Sequence, residues 1–156
     1  MKKISILIIC LSLILCSCNF SDENLKSVGN CSFSIKCETI LSNKDSADKS
    51  ILDFIPDNGI IFSNDNIEIS EGDTPFSVLK KICKSNNIKL NFSENSVSGT
   101  VYVTEINNIS SGDCGDLSGW LYLINDESAS EAANMCIIKD GDVIEWVYTC
   151  DMGNDI

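Results

Sequence analysis

Two stretches of alternating apolar and polar residues, far apart in the chain, constrain the fold more than any other feature of the sequence. They span residues 31–40 and 142–150. Because successive side chains of a strand point to opposite faces of a sheet, each stretch predicts a strand with one buried face. The apolar residues on these faces are Cys31, Phe33, Ile35 and Cys37 in the first stretch and Ile144, Trp146, Tyr148 and Cys150 in the second.

A single amphipathic helix is predicted between these strands, at residues 75–86. Thr74 or Asp73 can cap its first amides, and Pro75 suits the N1 position, where its missing N–H is not needed. Apolar residues then recur at helical spacing and predict one face packed on the core. These residues are Phe76, Val78, Leu79, Ile82 and Cys83.

Shorter runs predict the remaining elements. Residues 46–52 are weakly helical, and 107–117 read as a loop. Asp140-Gly141 favours a type I′ turn between 136–138 and the last strand, whereas Asn125-Asp126 leaves the turn type open, since Asp tolerates positive φ less well than glycine. Further strands are predicted at 59–62, 66–70, 88–92, 99–106 and 119–125, the first two being separate strands or one bulged hairpin.

Strands at both ends with one helix inserted between strand pairs predict an α+β fold in which the helix packs on one face of a mixed sheet. The arrangement that fits best is β-grasp-like, with the first and last strands parallel and adjacent at the centre. That arrangement places Cys37 near Cys150, and a disulfide between them is a hypothesis.

The first 17 residues have the layout of an export signal. Lys2 and Lys3 precede an uncharged apolar run at 4–15, which is too short to span a bilayer. The following Leu15-Cys16-Ser17-Cys18 resembles the lipobox of bacterial lipoproteins, in which Cys18 would carry the lipid and become the N-terminus. The alternative is an ordinary secretory signal with an incidental cysteine.

This interpretation divides the chain into three parts: a lipoprotein signal peptide at 1–17, a polar tether at 18–30 and one domain at 31–156. It predicts a location at the extracellular face of the cell membrane, to which the lipid would anchor the protein.

The charge and composition exclude several functions. From Cys18 onward, nine lysines oppose 23 acidic residues, a formal net charge of −14, and the chain has neither arginine nor histidine. Nucleic-acid binding is excluded because it needs a basic footprint. Histidine-based acid–base chemistry and histidine-ligated metal sites are excluded as well.

Six further cysteines follow Cys18, and an even number in a small exported domain is typical of a disulfide framework. The competing interpretation is a zinc site, but the spacings are scattered and lack a Cys-x-x-Cys pair. The domain is therefore expected to be stabilised by disulfides, with no bound metal. The six candidates are Cys31, Cys37, Cys83, Cys114, Cys136 and Cys150.

Four motifs carry a resemblance that covers the chain from residue 31 to the C-terminus. They are the Cys-x5-Cys segment at 31–37, Glu-Gly-Asp-Thr at 71–74, Cys-Gly-Asp-Leu-Ser-Gly-Trp-Leu-Tyr at 114–122, and the segment at 139–156. The chain resembles the transcobalamin-like C-terminal domain family of bacterial surface proteins. The resemblance implies cobalamin as a candidate ligand, although the chain is too short to include the helical barrel that accompanies this domain in vertebrate cobalamin carriers.

Four aromatic residues at strand spacing are the candidate ligand-binding residues: Trp120, Tyr122, Trp146 and Tyr148. They predict either a solvent-open platform for a flat ligand or core packing between two adjacent strands. Pairs of aspartates in the turns are candidates for Ca²⁺, but none matches a calcium-loop pattern, and turns recruit Asp for local hydrogen bonds.

The chain shows no known catalytic motif, and its cysteines lack a histidine partner for activation. The sequence therefore predicts a non-catalytic, lipid-anchored binding module without a cofactor, which binds a small molecule such as a corrinoid. The alternative is a structural or adhesive module that binds a surface protein or a cell-wall polymer.

Overall fold

The computed structural model describes residues 26–156. The predicted signal peptide, the lipidation site Cys18 and most of the predicted tether lie outside the described residues. Within 26–156, no helix combines the length and the apolar character needed to cross a membrane.

The fold is α+β, built mainly from strands. The helices are α1 (Glu38–Ser42), a 3₁₀ helix (Lys49–Phe54) and α2 (Pro75–Ser85). The strands are β1 (Ser27–Lys36), β2 (Ile60–Ser70), β3 (Leu90–Glu94), β4 (Val101–Ile106), β5 (Ile109–Ser110), β6 (Gly119–Ile124), β7 (Glu127–Ser128) and β8 (Val143–Thr149).

The strands form two sheets. The larger has the order β2-β1-β8-β6-β7, and the smaller has the order β3-β4-β5. At the centre of the larger sheet, β1 and β8 are parallel, and every other pair is antiparallel. The prediction that the first and last strands lie side by side and parallel is therefore confirmed.

The core lies on one face of the larger sheet, between its central strands and α2. Phe33 and Ile35 of β1, Ile144 of β8 and Leu79 of α2 are each at most 1% exposed. Full burial of one such side chain is worth about 1.5–3 kcal/mol. The apolar faces of the two alternating stretches thus form one side of the core.

Helix α2 begins as predicted. Thr74 is the N-cap, its side chain accepts a hydrogen bond from the Ser77 N–H at 3.0 Å, and the Ser77 hydroxyl accepts one from the Thr74 N–H at 2.9 Å. Asp73 does not cap the helix; its buried carboxylate bonds Lys81 at 2.7 Å instead. The reciprocal bonds satisfy donors at the helix start that otherwise have no partner.

Strand β1 differs from its prediction at both ends. It begins at Ser27, inside the segment predicted as a tether, because Ser27 to Asn30 pair with the end of β2. It ends at Lys36 rather than at residue 40, and Cys37 precedes the short helix α1. A lone alternating pattern does not show where the partner strands stop, so its ends are the weakest part of the prediction.

The structure settles the turn whose type was open and corrects the turn that was predicted as type I′. Asn125 and Asp126 both have positive φ, 54° and 66°, as a type I′ turn requires between β6 and β7. At 139–142 the type I′ prediction is wrong, because only Gly141 has positive φ, and 136–138 is not a strand. The predicted strands at 59–62 and 66–70 are one strand, β2, which pairs with β1 through register shifts.

Candidate ligand cleft

Two cross-strand pairs hold the four candidate aromatic residues. Trp120 of β6 faces Tyr148 of β8, and one step along the sheet Tyr122 faces Trp146. The rings of Trp120 and Tyr148, the closed pair, meet edge to face with centroids 5.2 Å apart. The rings of Tyr122 and Trp146, the cleft pair, are tilted by 33° with centroids 5.5 Å apart.

The closed pair has partners for both of its polar groups. The indole N–H of Trp120 donates to the carbonyl of Ile109 at 2.8 Å, and the hydroxyl of Tyr148 donates to the carbonyl of Ser110 at 2.7 Å. Both side chains are at least 98% buried. Because buried polar groups are normally paired, this is ordinary core packing between β5 and the larger sheet.

The cleft pair is only half satisfied. The Tyr122 hydroxyl donates to the carbonyl of Glu131 at 2.7 Å, whereas Trp146 Nε1 is buried and has no acceptor among residues 26–156. A buried donor without a partner costs about 1–3 kcal/mol. Native structures contain few such groups, so the indole N–H of Trp146 calls for a specific explanation.

A cleft of about 200 Å³ lies against the cleft pair. Its walls are β4, β6, Trp146 of β8 and the loop at 128–133, so it runs between the two sheets. This volume holds several water molecules or one small ring, and it is below the roughly 300 Å³ at which drug-sized pockets begin.

Tyr102 of β4 forms the outer wall of the cleft and is about half exposed. Gly119 of β6 leaves room for it: a Cβ there would come within 3.3 Å of the Tyr102 hydroxyl and 3.2 Å of Ser111 Oγ, which is a tight contact. Sequence reasoning did not identify Tyr102, since its contribution depends on how the two sheets pack and not on the pattern within β4.

Burial also sets the ionisation of the aromatic hydroxyls. Burial raises the pKa of Tyr122 to about 12, and the nearby Cys136 and Glu131 act in the same direction. Burial likewise raises the pKa of Tyr148 to about 12. Both tyrosines are therefore neutral hydrogen-bond donors at physiological pH.

The solvent-open platform is not present in the structure. Neither Trp120 nor Trp146 is exposed beside the loop at 113–119, since each is only 2% exposed. The structure instead places Trp120, Tyr122 and Trp146 along the inner wall of a cleft, while Tyr148 belongs to the core.

The cysteines differ in burial and in their contacts. Burial raises the pKa of Cys31 and Cys83 to about 11 and that of Cys37 to about 12, so these thiols are poor nucleophiles. The sulfur of Cys150 lies 2.8 Å from that of Cys114, whereas the hypothesis from the sequence pairs Cys150 with Cys37. All six thiols are free in the structure, and a disulfide framework stays a prediction.

The aspartate pairs considered for Ca²⁺ are Asp113 with Asp116, Asp140 with Asp142, and Asp151 with Asp155, and in each pair at least one carboxylate accepts a hydrogen bond from the backbone. Asp113 accepts a hydrogen bond from the Ser110 N–H at 2.6 Å, Asp142 from the Lys139 N–H at 2.8 Å, and Asp155 from the Cys150 N–H at 2.9 Å. Across residues 26–156, no three carboxylate or thiol side chains cluster as metal ligands would. These aspartates therefore serve the turns.

A wider hollow of about 500 Å³ lies on the opposite face of the larger sheet. Lys36 pairs there with Glu145, Asp155 binds Thr149 and the Cys150 N–H, and Glu38 and Asp126 also line the hollow. Unlike the cleft, it is lined by none of the buried polar atoms that lack a partner within residues 26–156.

Residues 72–150 match the family model described as Domain of unknown function (DUF4430), over just half of the chain. The chain belongs to this family. The matched region runs from the start of α2 through β8 and contains the whole cleft.

Among solved structures, the chain is similar to haptocorrin in complex with Cbi, with a TM-score of 0.52 and 19% identity. The match covers 85% of this chain but only 28% of haptocorrin, so the likeness concerns one part of that protein's fold. A structure from Ruminococcus gnavus, described as that of a candidate metal-binding protein, matches with a TM-score of 0.44 and 13% identity, over 78% of this chain and 96% of that one. No curated protein matches the sequence.

Proposed function

We propose that this protein is a non-catalytic, lipid-anchored extracellular module that binds a small molecule at the aromatic cleft, with a corrinoid as the first candidate. The fold likeness to a part of haptocorrin, which was crystallised with Cbi, supports this ligand class. The central parallel pair of β1 and β8 supports assignment to the β-grasp class.

The unpaired indole N–H of Trp146 carries the proposal. Trp146 lines the cleft, and a ligand carbonyl or other acceptor that reaches its indole N–H from there would satisfy this donor and offset the cost of leaving it buried without a partner. The ring of Tyr122 would support the flat side of the same group, while Tyr102 would cover it from the outside.

The size of the cleft defines how a large ligand would bind. About 200 Å³ does not accommodate a whole corrinoid, so only a peripheral group, such as one of its side-chain amides, would enter. The macrocycle would then lie outside, across Tyr102. A ligand bound this shallowly needs further contacts for high affinity, so we expect weak binding by the isolated chain.

Titration calorimetry with cobinamide and with cobalamin tests this proposal. The Trp146→Phe variant keeps an aromatic ring but lacks the N–H, and we expect its affinity to fall about tenfold. The matched control is Tyr148→Phe, which removes a polar group from the closed pair, away from the cleft, and should bind as the unmodified chain does.

Two results would contradict the proposal. Absence of heat with both ligands at high micromolar concentration would exclude corrinoids and favour the alternative of a surface-protein or polymer partner. Equal affinity of Trp146→Phe and the unmodified chain would place the ligand outside the cleft.

The lipid anchor is tested separately, by fractionating cells that express the full chain or its Cys18→Ser variant. We expect the unmodified chain in the membrane fraction, and we expect the variant to lose the mass of the lipid and its membrane association. Equal distribution of the two proteins would exclude lipidation at Cys18.

A further inference from the structure

Two cysteines that are 36 positions apart in the sequence meet in the structure. Cys114 lies in the loop before β6, and Cys150 directly follows β8. Their sulfur atoms are 2.8 Å apart, and Cys114 is 3% exposed. The two thiols therefore face each other where the loop meets the end of the last strand.

Both cysteines are held in place through their backbones. The Cys114 N–H donates to Ser118 Oγ at 3.0 Å, and the Cys150 N–H donates to the Asp155 carboxylate at 2.9 Å. Because these bonds hold both segments where the thiols meet, joining the sulfurs requires no rearrangement of the sheet.

We propose that Cys114 and Cys150 form a disulfide in the mature protein. In exchange with a small-molecule or protein disulfide, the two thiols give up two protons and two electrons, one S–S bond forms between them, and the donor disulfide becomes two thiols. The proposal does not depend on the ligand of the cleft.

The bond would fix the loop that packs behind the closed pair. The loop that carries Cys114 follows β5, whose Ile109 and Ser110 carbonyls accept the hydrogen bonds of Trp120 and Tyr148. Tying this loop to the end of β8 would close a chain segment of about 37 residues, and the lost freedom of the unfolded chain should raise the melting temperature by roughly 10 °C.

Peptide mapping of the full chain tests the pairing directly. Burial raises the pKa of the Cys150 thiol to about 12, which slows exchange in the folded protein, so the chain is refolded in a glutathione redox buffer and then alkylated. Trypsin with a glutamate-specific protease separates Cys114 (106–127), Cys136 (132–139) and Cys150 (146–156). We expect 106–127 linked to 146–156, and reduction should release both.

Variants provide the control. Cys136→Ser should leave this link intact. Cys114→Ser should make Cys150 available to alkylation, and reductant should then no longer lower the melting temperature by the amount that this bond contributes. Alkylation of both cysteines in the refolded unmodified chain, or a link from 146–156 to any other peptide, would overturn the proposal whether or not the variants fold.

Discussion

The closed pair and the cleft pair lie side by side on the same two strands and contain the same residue types, yet only one of them leaves a polar group without a partner among residues 26–156. Behind the closed pair, β5 supplies two carbonyl acceptors. Beside the cleft pair, the loop at 128–133 supplies one, to Tyr122, and Trp146 receives none within the described part of the chain. Whether the polar groups have hydrogen-bond partners therefore distinguishes the core pair from the candidate site, whereas the types of aromatic ring do not.

The largest expected effect is a loss of folding stability at alkaline pH. The folded-state pKa of Tyr122 and of Tyr148 is about 12, above the ordinary value of 10.0, so the folded chain holds these two protons more tightly than the unfolded chain. Their stabilisation is complete below pH 10 and is lost as the pH rises towards 12, by about 2–3 kcal/mol for each tyrosine.

Denaturant unfolding across this pH range, followed with tyrosinate absorbance, checks the comparison. Replacing either tyrosine with Phe should reduce the alkaline loss by a similar amount, while the buried thiols contribute equally in all variants. Ionisation of Tyr122 near its ordinary pKa would mean that the cleft pair is more open to water than the structure has it.

The next effect separates the two tryptophans. Trp120→Phe leaves the buried carbonyl of Ile109 without its donor, whereas Trp146→Phe removes a donor that has no acceptor. Both variants lose similar apolar contact, so we expect Trp120→Phe to be less stable by about 2 kcal/mol. Chemical denaturation measures the difference.

Equal destabilisation of the two tryptophan variants would contradict the division into a closed and a cleft pair. A Trp146→Phe variant that loses more stability than Trp120→Phe would show that the Trp146 indole N–H is bonded in solution, for example to an ordered water.

The smallest effect separates the two tyrosines at neutral pH. Tyr148→Phe removes a hydroxyl in a fully buried position, whereas Tyr122→Phe frees the carbonyl of the exposed residue Glu131, which water can reach. We expect Tyr148→Phe to lose about 0.5–1 kcal/mol more than Tyr122→Phe. Melting curves of the two variants check this. A reversed order would mean that the hydrogen bond of Tyr122 to the 128–133 loop contributes more stability than the hydrogen bond of Tyr148 to β5.

Much of the fold could be predicted because its signals are local. The cap at Thr74, proline at N1 and the apolar face of α2 lie within a dozen residues, and the alternation in β1 and β8 identified their buried faces. The ends of β1 and the conformation of 136–138 depend on neighbours distant in sequence, and the predictions of a strand at 31–40 and of a strand at 136–138 were wrong there.

Three of the four predicted aromatic residues, Trp120, Tyr122 and Trp146, line the cleft, but the sequence did not predict the form of the cleft. Period-2 spacing placed the four aromatic side chains on one face of two strands, where the structure has them. Their division into two pairs, the role of Tyr102 and the contact between Cys114 and Cys150 all arise from segments that meet only after folding.

By itself, the sequence determined the α+β class, the helix and its cap, and which side of each central strand is apolar, because these follow from side-chain periodicity and local hydrogen bonding. The tertiary structure decided which aromatic group lacks a partner and which two thiols touch. Both depend on loops that approach the sheet from distant parts of the chain, and a buried polar group is satisfied or left unpaired only by what packs against it.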